Sequence, residues 1–286
     1  MIIVKLIGGL GNQMFQYAAG KALALKHQVP LKIDTSFLEK DPNGQYTKRQ
    51  LELNGFDLQL EIAGSAELSH FKQNFFNHLA LSFPGLFSYY YAKETATSYH
   101  AAFQRFPKNT FLDGFWQSEL YFKTYASAIR EVFRFKEETI ARNKDMAQKM
   151  HAVRSVSLHV RRGDYVSNAL ANKFHGLCTP SYYQEAVKFI QGTGPVELFI
   201  FSDDIDWCKQ HSRFDVPVHY MQTGDAFSDL YLMTQCKHHV IANSSFSWWG
   251  AWLNPSHDKI VVAPKNWFQE ASINTSDIVP KGWVKL

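Results

Sequence analysis

Cysteine is scarce in this chain. Cys178, Cys208 and Cys236 are the only three, and no two stand in a C-x-x-C spacing. That excludes a disulfide framework and a thiolate zinc site, and it is the usage expected of free thiols in a reducing compartment. No run of about eighteen apolar residues occurs, and the N-terminus opens directly on a strand, so neither a membrane span nor a signal peptide is expected and a cytoplasmic location follows. Charge of one sign is also lacking. The net charge of +4 comes from scattered basic residues, too weak for a nucleic-acid groove but compatible with a small anionic ligand. None of the twelve histidines has a metal-ligand spacing, so no metal site is expected. Internal repeats and low-complexity segments are absent.

What the chain does have is apolar and aromatic residues. With 286 residues, 45% of them apolar, it can bury a large core and is long enough for two domains. The 23 Phe, 13 Tyr and 7 Trp suit a core and also suit flat surfaces on which bases and sugars stack. In the second half, "SVSLHV" (155–160), "VELFIFS" (196–202), "VPVHY" (216–220), "HHVIA" (238–242) and "KIVVAP" (259–264) are short β-rich runs. Helical patterns at 181–191, 204–211, 225–236 and 245–253 separate most of them, which predicts a parallel sheet wrapped by helices. The first half shows strands at the N-terminus, at 28–34 and near 110–115, a helix after the opening loop, another over 65–80, and a third from Ser118 as N-cap. The charged helix 136–151 marks the boundary. The expectation is α/β throughout: residues 1–150 as one domain, 151–286 as a second, Rossmann-like one, and a cleft between them.

Three polar clusters leave strands of the second half: "HVRRGDY", "FSDD" and "NSSFSWWGAWL". In a parallel sheet all three lie along one carboxyl edge, where open α/β sheets bind ligands. Asn243 and Ser244 can cap the helix that follows, leaving the amides of Ser245, Phe246 and Ser247 for an anion. A plain N-cap is the other reading of the same turn, and core packing is the ordinary role of Trp248 and Trp252. Strand period puts His159 and Arg161 on one side and Arg162 on the other. Arg161 suits a diphosphate, because guanidinium is always charged and binds phosphate oxygens in pairs; Arg162 suits a structural ion pair. Asp164 is either a general base or an orienting partner for an arginine. Asp203 is placed to accept hydrogen bonds from a ribose or a base. Asp204 and Asp206 suit the start of a helix better than a metal.

The opening "IIVKLIGGLGNQMFQYAAGKALAL" is a strand, a glycine loop and a helix. Gly9 and Gly11 fill the first two positions of a dinucleotide fingerprint, but Met14 stands at the third, and Asp34 lies at only roughly the ribose-binding spacing. Asn12 and Gln13 at the helix start are expected to face the cleft rather than the core.

Together, "GGLGNQMFQYA", "GFWQSELYF", "HVRRGDY", "FSDD" and "NSSFSWWGAWL" resemble the bacterial α-1,2-fucosyltransferases of glycosyltransferase family 11, in order from residue 8 to residue 253. The resemblance implies a GT-B fold with GDP-fucose as donor and a terminal β-galactoside of a lipopolysaccharide or O-antigen type glycan as acceptor. It implies inversion at the anomeric carbon and no cofactor or obligatory metal. Carried across, Arg161 binds the β-phosphate of the leaving GDP, His159 supports the diphosphate, and Ser244, Ser245 and Phe246 hold it at the helix start. Asn12 reaches the diphosphate or sugar, with Gly9, Gly11 and Gln13 beside it. For the base Asp164 comes first, then His175 and Glu119, or no single residue serves.

Two other readings compete: a nucleotide-cofactor oxidoreductase using the opening loop, and a non-catalytic glycan-binding protein on the same fold. A fucosyltransferase of different linkage or acceptor is a further alternative within the transferase reading. The aromatic stretch 71–91 reads as core, as an acceptor-side wall, or as a peripheral membrane contact.

Overall fold

The computed structural model describes residues 1–40, 48–71, 81, 88–163, 166, 176–211, 213–270 and 272–286. The chain forms two compact units. The first comprises Met1–Arg134 with Ser276–Pro280, and the second Phe135–Thr275 with Lys281–Leu286.

In the first unit the elements are β1 (Ile2–Lys5), α1 (Leu10–His27), β2 (Leu31–Asp34), α2 (Ser36–Glu39), α3 (Ser65–Ser69), β3 (Tyr90–Lys93), β4 (Thr110–Asp113) and α4 (Ala126–Val132). The four strands are parallel in the order β2-β1-β4-β3. Ile2, Ile3 and Val4 are fully buried in β1, and α1 buries Met14, Phe15, Ala18 and Ala19. Gly20 lets that helix close on the sheet: a Cβ there would stand 2.9 Å from Leu31 Cδ1 and 3.3 Å from Val4 Cβ. So the close-packing glycine of this βα turn is Gly20, deep in the helix, rather than a residue at the position of Met14. The sequence-predicted helix from Ser118 begins instead as a 3₁₀ turn, Glu119–Tyr121, with Ser118 Oγ accepting from the Leu120 amide at 3.3 Å. The same hydroxyl donates to the Asp277 carbonyl at 2.6 Å. This tie to the returning C-terminal segment fixes the turn where a helix would otherwise start.

The second unit contains α5 (Glu137–Arg142), α6 (Lys144–Ala152), β5 (Ser155–Val160), α7 (Pro180–Gln191), β6 (Glu197–Ser202), α8 (Ile205–His211), β7 (Val218–Tyr220), α9 (Ala226–Gln235), β8 (His238–Val240), α10 (Ser245–Leu253), β9 (Val261–Ala263) and β10 (Val284–Lys285). Its six parallel strands run β10-β9-β8-β5-β6-β7. Every residue of β5 is buried, as expected of a central strand covered on both faces. Val156, Leu158 and Val160 contribute about 1.5–3 kcal/mol each by leaving water. Trp248, Trp249 and Trp252 of α10 are buried against one another, with Trp248 and Trp249 centroids 5.0 Å apart. Core packing is thus their role.

The division after Arg134 differs from the boundary after residue 150 that the charged stretch suggested. That stretch is α5 and α6, interrupted at Asn143, and both pack on α9 of the second unit. Asn143 Nδ2 donates to the Thr139 carbonyl and to Ser228 Oγ, both at 2.8 Å. The break is therefore bonded to α9, and residues 135–150 go with the second core. Part of the helix expected over 65–80 lies in α3; residues 72–80, and 82–87 of the aromatic stretch, lie outside the described residues. Phe71 itself is core, its ring 6.0 Å from Phe111. Among the described residues no helix is long and apolar enough to cross a membrane.

Candidate functional site

In the sheet of the second unit the connections leaving β5 and β8 run off in opposite directions, to β6 on one side and β9 on the other; in the first unit β1 and β4 are neighbouring parallel strands whose carboxyl ends lie side by side. Ligands of open α/β sheets bind at the carboxyl ends of strands placed like β5 and β8, because the two diverging connections leave a crevice there.

In the second unit β5 delivers His159, Arg161 and Arg162 to this point. Val160 is in register with Ser202, so the chain leaving β6 runs beside the chain leaving β5. Arg161 Nη1 donates to Asp203 Oδ2 at 2.6 Å, and the Arg162 amide donates to Asp203 Oδ1 at 2.8 Å. Both oxygens of Asp203 are thus engaged in holding the arginine turn, and the role of ribose or base acceptor given to it from sequence is not the one the structure displays. Gly163 belongs to this arrangement: a Cβ there would stand 2.5 Å from Asp203 Oδ2. Arg162 turns the other way, as strand alternation requires. Its Nε donates to Asp204 Oδ2 at 3.0 Å, and its guanidinium lies 4.0 Å from the Trp207 ring centroid. Asp204 also caps α8, accepting from the Trp207 amide at 3.1 Å. The Arg162 guanidinium, with the Trp207 amide, holds the Asp204 carboxyl below its ordinary range.

His159 is 6% exposed, and its Nδ1 has no hydrogen-bond partner among the described residues. Burial, reinforced by Arg161 and opposed by Asp203, pushes its pKa down to about 4. It is a neutral imidazole near pH 7, able to donate or accept but not to supply charge. A buried polar atom without a partner costs free energy unless something arrives to satisfy it. Across the crevice, Phe246 at the start of α10 has its ring 5.7 Å from that of His159. Ser244 is the N-cap of α10 but makes no side-chain cap bond, and the first intrahelical bond is Trp248 N–H to Ser244 O at 3.0 Å. The amides of Ser245, Phe246 and Ser247 precede it and point out of the helix end, where the dipole favours an anion. Asn243 does not cap the helix as expected. It is buried, with Nδ2 donating to the carbonyls of Gly176 and Trp267, both at 3.3 Å, so its amide is consumed in joining loops. Asp164 and His175 lie outside the described residues.

In the first unit the glycine loop follows β1. Gly8, with φ +78°, takes the left-handed conformation, and a Cβ there would stand 2.6 Å from Asn12 Nδ2. Gly9 is the N-cap of α1. Gly11 is buried within the helix. Gln13 is fully buried, against the expectation that it faces outward. Its Nε2 donates to the carbonyls of Gly8 at 2.9 Å and Gln50 at 2.7 Å, and its Oε1 accepts from the Glu52 amide at 2.9 Å. A buried primary amide satisfied on both ends is a loop clamp. Glu52, brought in this way, accepts the Leu10 amide on Oε2 at 3.1 Å. The start of α1 is therefore supplied with a carboxylate from its own chain, which the sequence reading missed. Asn12 is half-buried, and its Oδ1 accepts from Gln117 Nε2 at 2.7 Å, joining the loop after β1 to the turn after β4. Glu119 stands two residues on, 3.4 Å from Lys123 Nζ.

The turn after β4 also escaped the sequence reading. Trp116 is fully buried with φ +53°, a conformation costing a bulky residue about 1–3 kcal/mol. Glu94, just past β3, offsets this: Oε2 accepts the Phe115 amide at 2.6 Å and Oε1 the Trp116 amide at 3.0 Å. Burial raises the Glu94 carboxyl above its ordinary range, against those two bonds. Among the described residues no cluster of three metal-ligating side chains occurs.

Comparison with known proteins bears on this geometry. The model of the family described as Glycosyl transferase family 11 matches residues 1–286. An alpha-1,2-colitosyltransferase of Escherichia coli is 35% identical, covering 100% of this chain and 99% of that protein. The O-antigen biosynthesis glycosyltransferase WbnK of Escherichia coli is 32% identical, covering 98% and 99%. A galactoside alpha-(1,2)-fucosyltransferase 1 from Lagothrix lagotricha is 27% identical over 50% of this chain and 42% of its own length. Among solved structures, an Arabidopsis thaliana FUT1 variant in complex with GDP superposes with a TM-score of 0.54 at 11% identity, covering 93% of this chain and 71% of that one. The fold is of the GT-B type, with two Rossmann-like α/β units.

Proposed function

The chain belongs to glycosyl transferase family 11, and from that premise we propose that it transfers L-fucose from GDP-β-L-fucose to the 2-hydroxyl of a terminal β-galactose, with inversion, in the synthesis of an O-antigen type surface glycan. The observation that carries the donor assignment is the contrast between the two helix starts. The amide of Leu10 at α1 is taken by Glu52, whereas among the described residues Ser244 gives α10 no side-chain cap, and His159, whose ring is 5.7 Å from Phe246 at that helix start, has no partner for Nδ1. An anion therefore gains at α10 and competes with a carboxylate at α1. This also disfavours an oxidoreductase that binds its cofactor on the opening loop.

In this reading the GDP diphosphate lies on the amides of Ser245 and Phe246, with Arg161 on the β-phosphate and His159 donating a hydrogen bond. As the sugar–phosphate bond breaks, charge grows on the β-phosphate oxygens, and a guanidinium and amides already oriented by Asp203 and α10 stabilise it without reorganising. No metal ion is required for that role. The acceptor hydroxyl attacks from the opposite face and gives its proton to a carboxylate, for which Asp164 is our candidate.

A second reading is favoured by the 35% identical relative, whose name gives a colitosyl donor. Colitose is the 3-deoxy analogue of fucose, so the two donors differ by one hydroxyl. Purified protein should release GDP from GDP-fucose only when a β-galactoside such as lactose is present, and NMR of the product should show an α-1,2 linkage, in EDTA as well as without it. A kcat/KM higher for GDP-colitose would assign the donor to the second reading. No sugar transfer from either donor would overturn both, and GDP-fucose binding without turnover would point to a non-catalytic glycan-binding protein.

A further inference from the structure

The carboxyl ends of β1 and β4 in the first unit lie side by side, and the groups gathered there differ in chemistry from those of the second unit's crevice. At the first unit's edge, backbone donors are already matched to the protein's own carboxylates: Leu10 to Glu52, Phe115 and Trp116 to Glu94. Asp113 is likewise bonded, to Lys5 Nζ at 3.1 Å and to the Tyr91 hydroxyl. Beside the Arg49 guanidinium, whose Nε is 3.8 Å from where a Cβ of Gly9 would stand, this edge carries an aromatic ring and a carboxamide. Phe115 is 43% exposed in a turn whose next residue, Trp116, is fully buried. Gln117 donates to Asn12 Oδ1, which leaves the Asn12 NH₂ group to serve as a donor. An exposed ring and an oriented amide carried two residues apart on one turn suit a neutral polyhydroxylated ligand, whose apolar C–H face stacks on an aromatic while its hydroxyls bond an amide.

We propose that Phe115 is the platform for the terminal hexose of the acceptor, and that Glu94 is the positioning residue that holds it there. The proposal rests on the transferase reading above and names its acceptor subsite. The structural reason for assigning Glu94 is that the Phe115 turn is not one the chain adopts unaided. Trp116 occupies the left-handed region, and Gly114 has no room for a side chain, since a Cβ would stand 2.3 Å from Glu94 Cβ. Two consecutive amides bound by one carboxylate fix both peptide planes, and with them the direction in which Phe115 leaves the backbone. Ser118, fully buried and bonded to the Asp277 carbonyl, closes the turn on its other side.

The test uses the full chain with Phe115→Ala, Phe115→Trp and Glu94→Gln. Because Phe115 is exposed, its alanine variant should fold, which a circular dichroism melt verifies. Loss of one stacking contact raises the KM for the galactoside about tenfold, while the KM for GDP-fucose moves less than about twofold. Phe115→Trp should restore acceptor affinity, because it keeps a flat face. Glu94→Gln retains one acceptor oxygen but sets its NH₂ against the second amide. It should raise the acceptor KM in the same direction, with the donor KM unmoved. A Phe115→Ala enzyme with an acceptor KM within about twofold of the parent overturns the proposal. Should the parent transfer sugar to no β-galactoside, the function is wrong but the subsite is still decided. Saturation-transfer NMR with methyl β-galactopyranoside must then label the sugar ring on the parent and lose that labelling on Phe115→Ala. Equal labelling of both overturns it.

Discussion

Arg161→Ala should separate ligand binding from folding. The guanidinium Nη1 lies 2.6 Å from Asp203 Oδ2, with both side chains about a quarter exposed at 26%. An ion pair so accessible to water contributes about 1 kcal/mol or less to the fold. Asp203 also keeps its 2.8 Å bond from the Arg162 amide after the substitution. The melting temperature should therefore drop by no more than about 4 °C. The effect on the ligand is larger. A charge-assisted hydrogen bond to a phosphate oxygen is worth about 1.5–3 kcal/mol, so GDP affinity should fall roughly 10- to 150-fold. The leaving group gains further charge in the transition state, and removing one preorganised donor costs a further factor of about 10²–10³ in kcat. Calorimetric titration with GDP, initial rates of GDP release and a thermal melt measure the three quantities separately. Arg161→Lys, which keeps the charge without the planar fork, should recover GDP affinity more fully than kcat. A kcat within about tenfold of the parent, or unchanged GDP affinity, would refute the assignment of the leaving-group charge to Arg161.

Three further outcomes follow from neighbouring geometry. Gly163→Ala places a Cβ 2.5 Å from Asp203 Oδ2; the displaced carboxylate should loosen Arg161, and steady-state rates should show the KM for GDP-fucose raised about tenfold, near 1.4 kcal/mol, with the melting temperature little changed. Glu52→Ala removes the carboxylate at the start of α1 and should cost about 1 kcal/mol in denaturant unfolding without altering GDP affinity; a tenfold loss of that affinity would place the nucleotide on the wrong helix in our account. Burial holds the pKa of His159 and His238 down to about 4 and that of His239 well below its ordinary value. The unfolded chain takes up those protons first, so stability is full above about pH 6.5 and is lost as pH falls toward 4, by about 3 kcal/mol for His159 alone. NMR titration should show a neutral His159 at pH 5.5, with its pKa rising when GDP binds.

The second unit was legible in sequence because parallel strands buried on both faces read as short unbroken apolar runs. "SVSLHV" is β5 residue for residue, and "VELFIFS" differs from β6 by one residue at its start. The polar exits from those strands could likewise be read, since strand alternation alone sends Arg161 and Arg162 to opposite sides. Other features depend on partners far along the chain. Gln13 sits where a helix start ordinarily faces solvent, but α1 is covered almost all round, and the residues that bury Gln13 are Gln50 and Glu52. Asn143 ends one helix and begins another only because Ser228 lies beside it. Tyr90–Lys93 carries no alternation that separates it from the aromatic residues before it, and β10 is two residues long.

The same dependence on distant partners bears on the opening glycine loop. A strand, a glycine turn with φ +78° at Gly8 and a helix start are what a diphosphate needs, and the first unit supplies all three. The Leu10 amide at that helix start is taken by a carboxylate 42 residues further along the chain. Among the described residues Ser244 gives α10 no side-chain cap bond, and Arg161 and His159 arrive from β5 instead. Two βα turns of similar local form thus differ in whether a described carboxylate already occupies an amide of the helix start. Glu52→Gln, which cancels one charge and keeps an oxygen for the Leu10 amide, should leave the second unit's affinity for GDP as it was. It should also fail to give the first unit a measurable affinity of its own, because the amide it would need is still occupied. A second GDP site in calorimetric titration of that variant would show that charge alone, rather than occupancy of the amide, had kept the nucleotide away from α1.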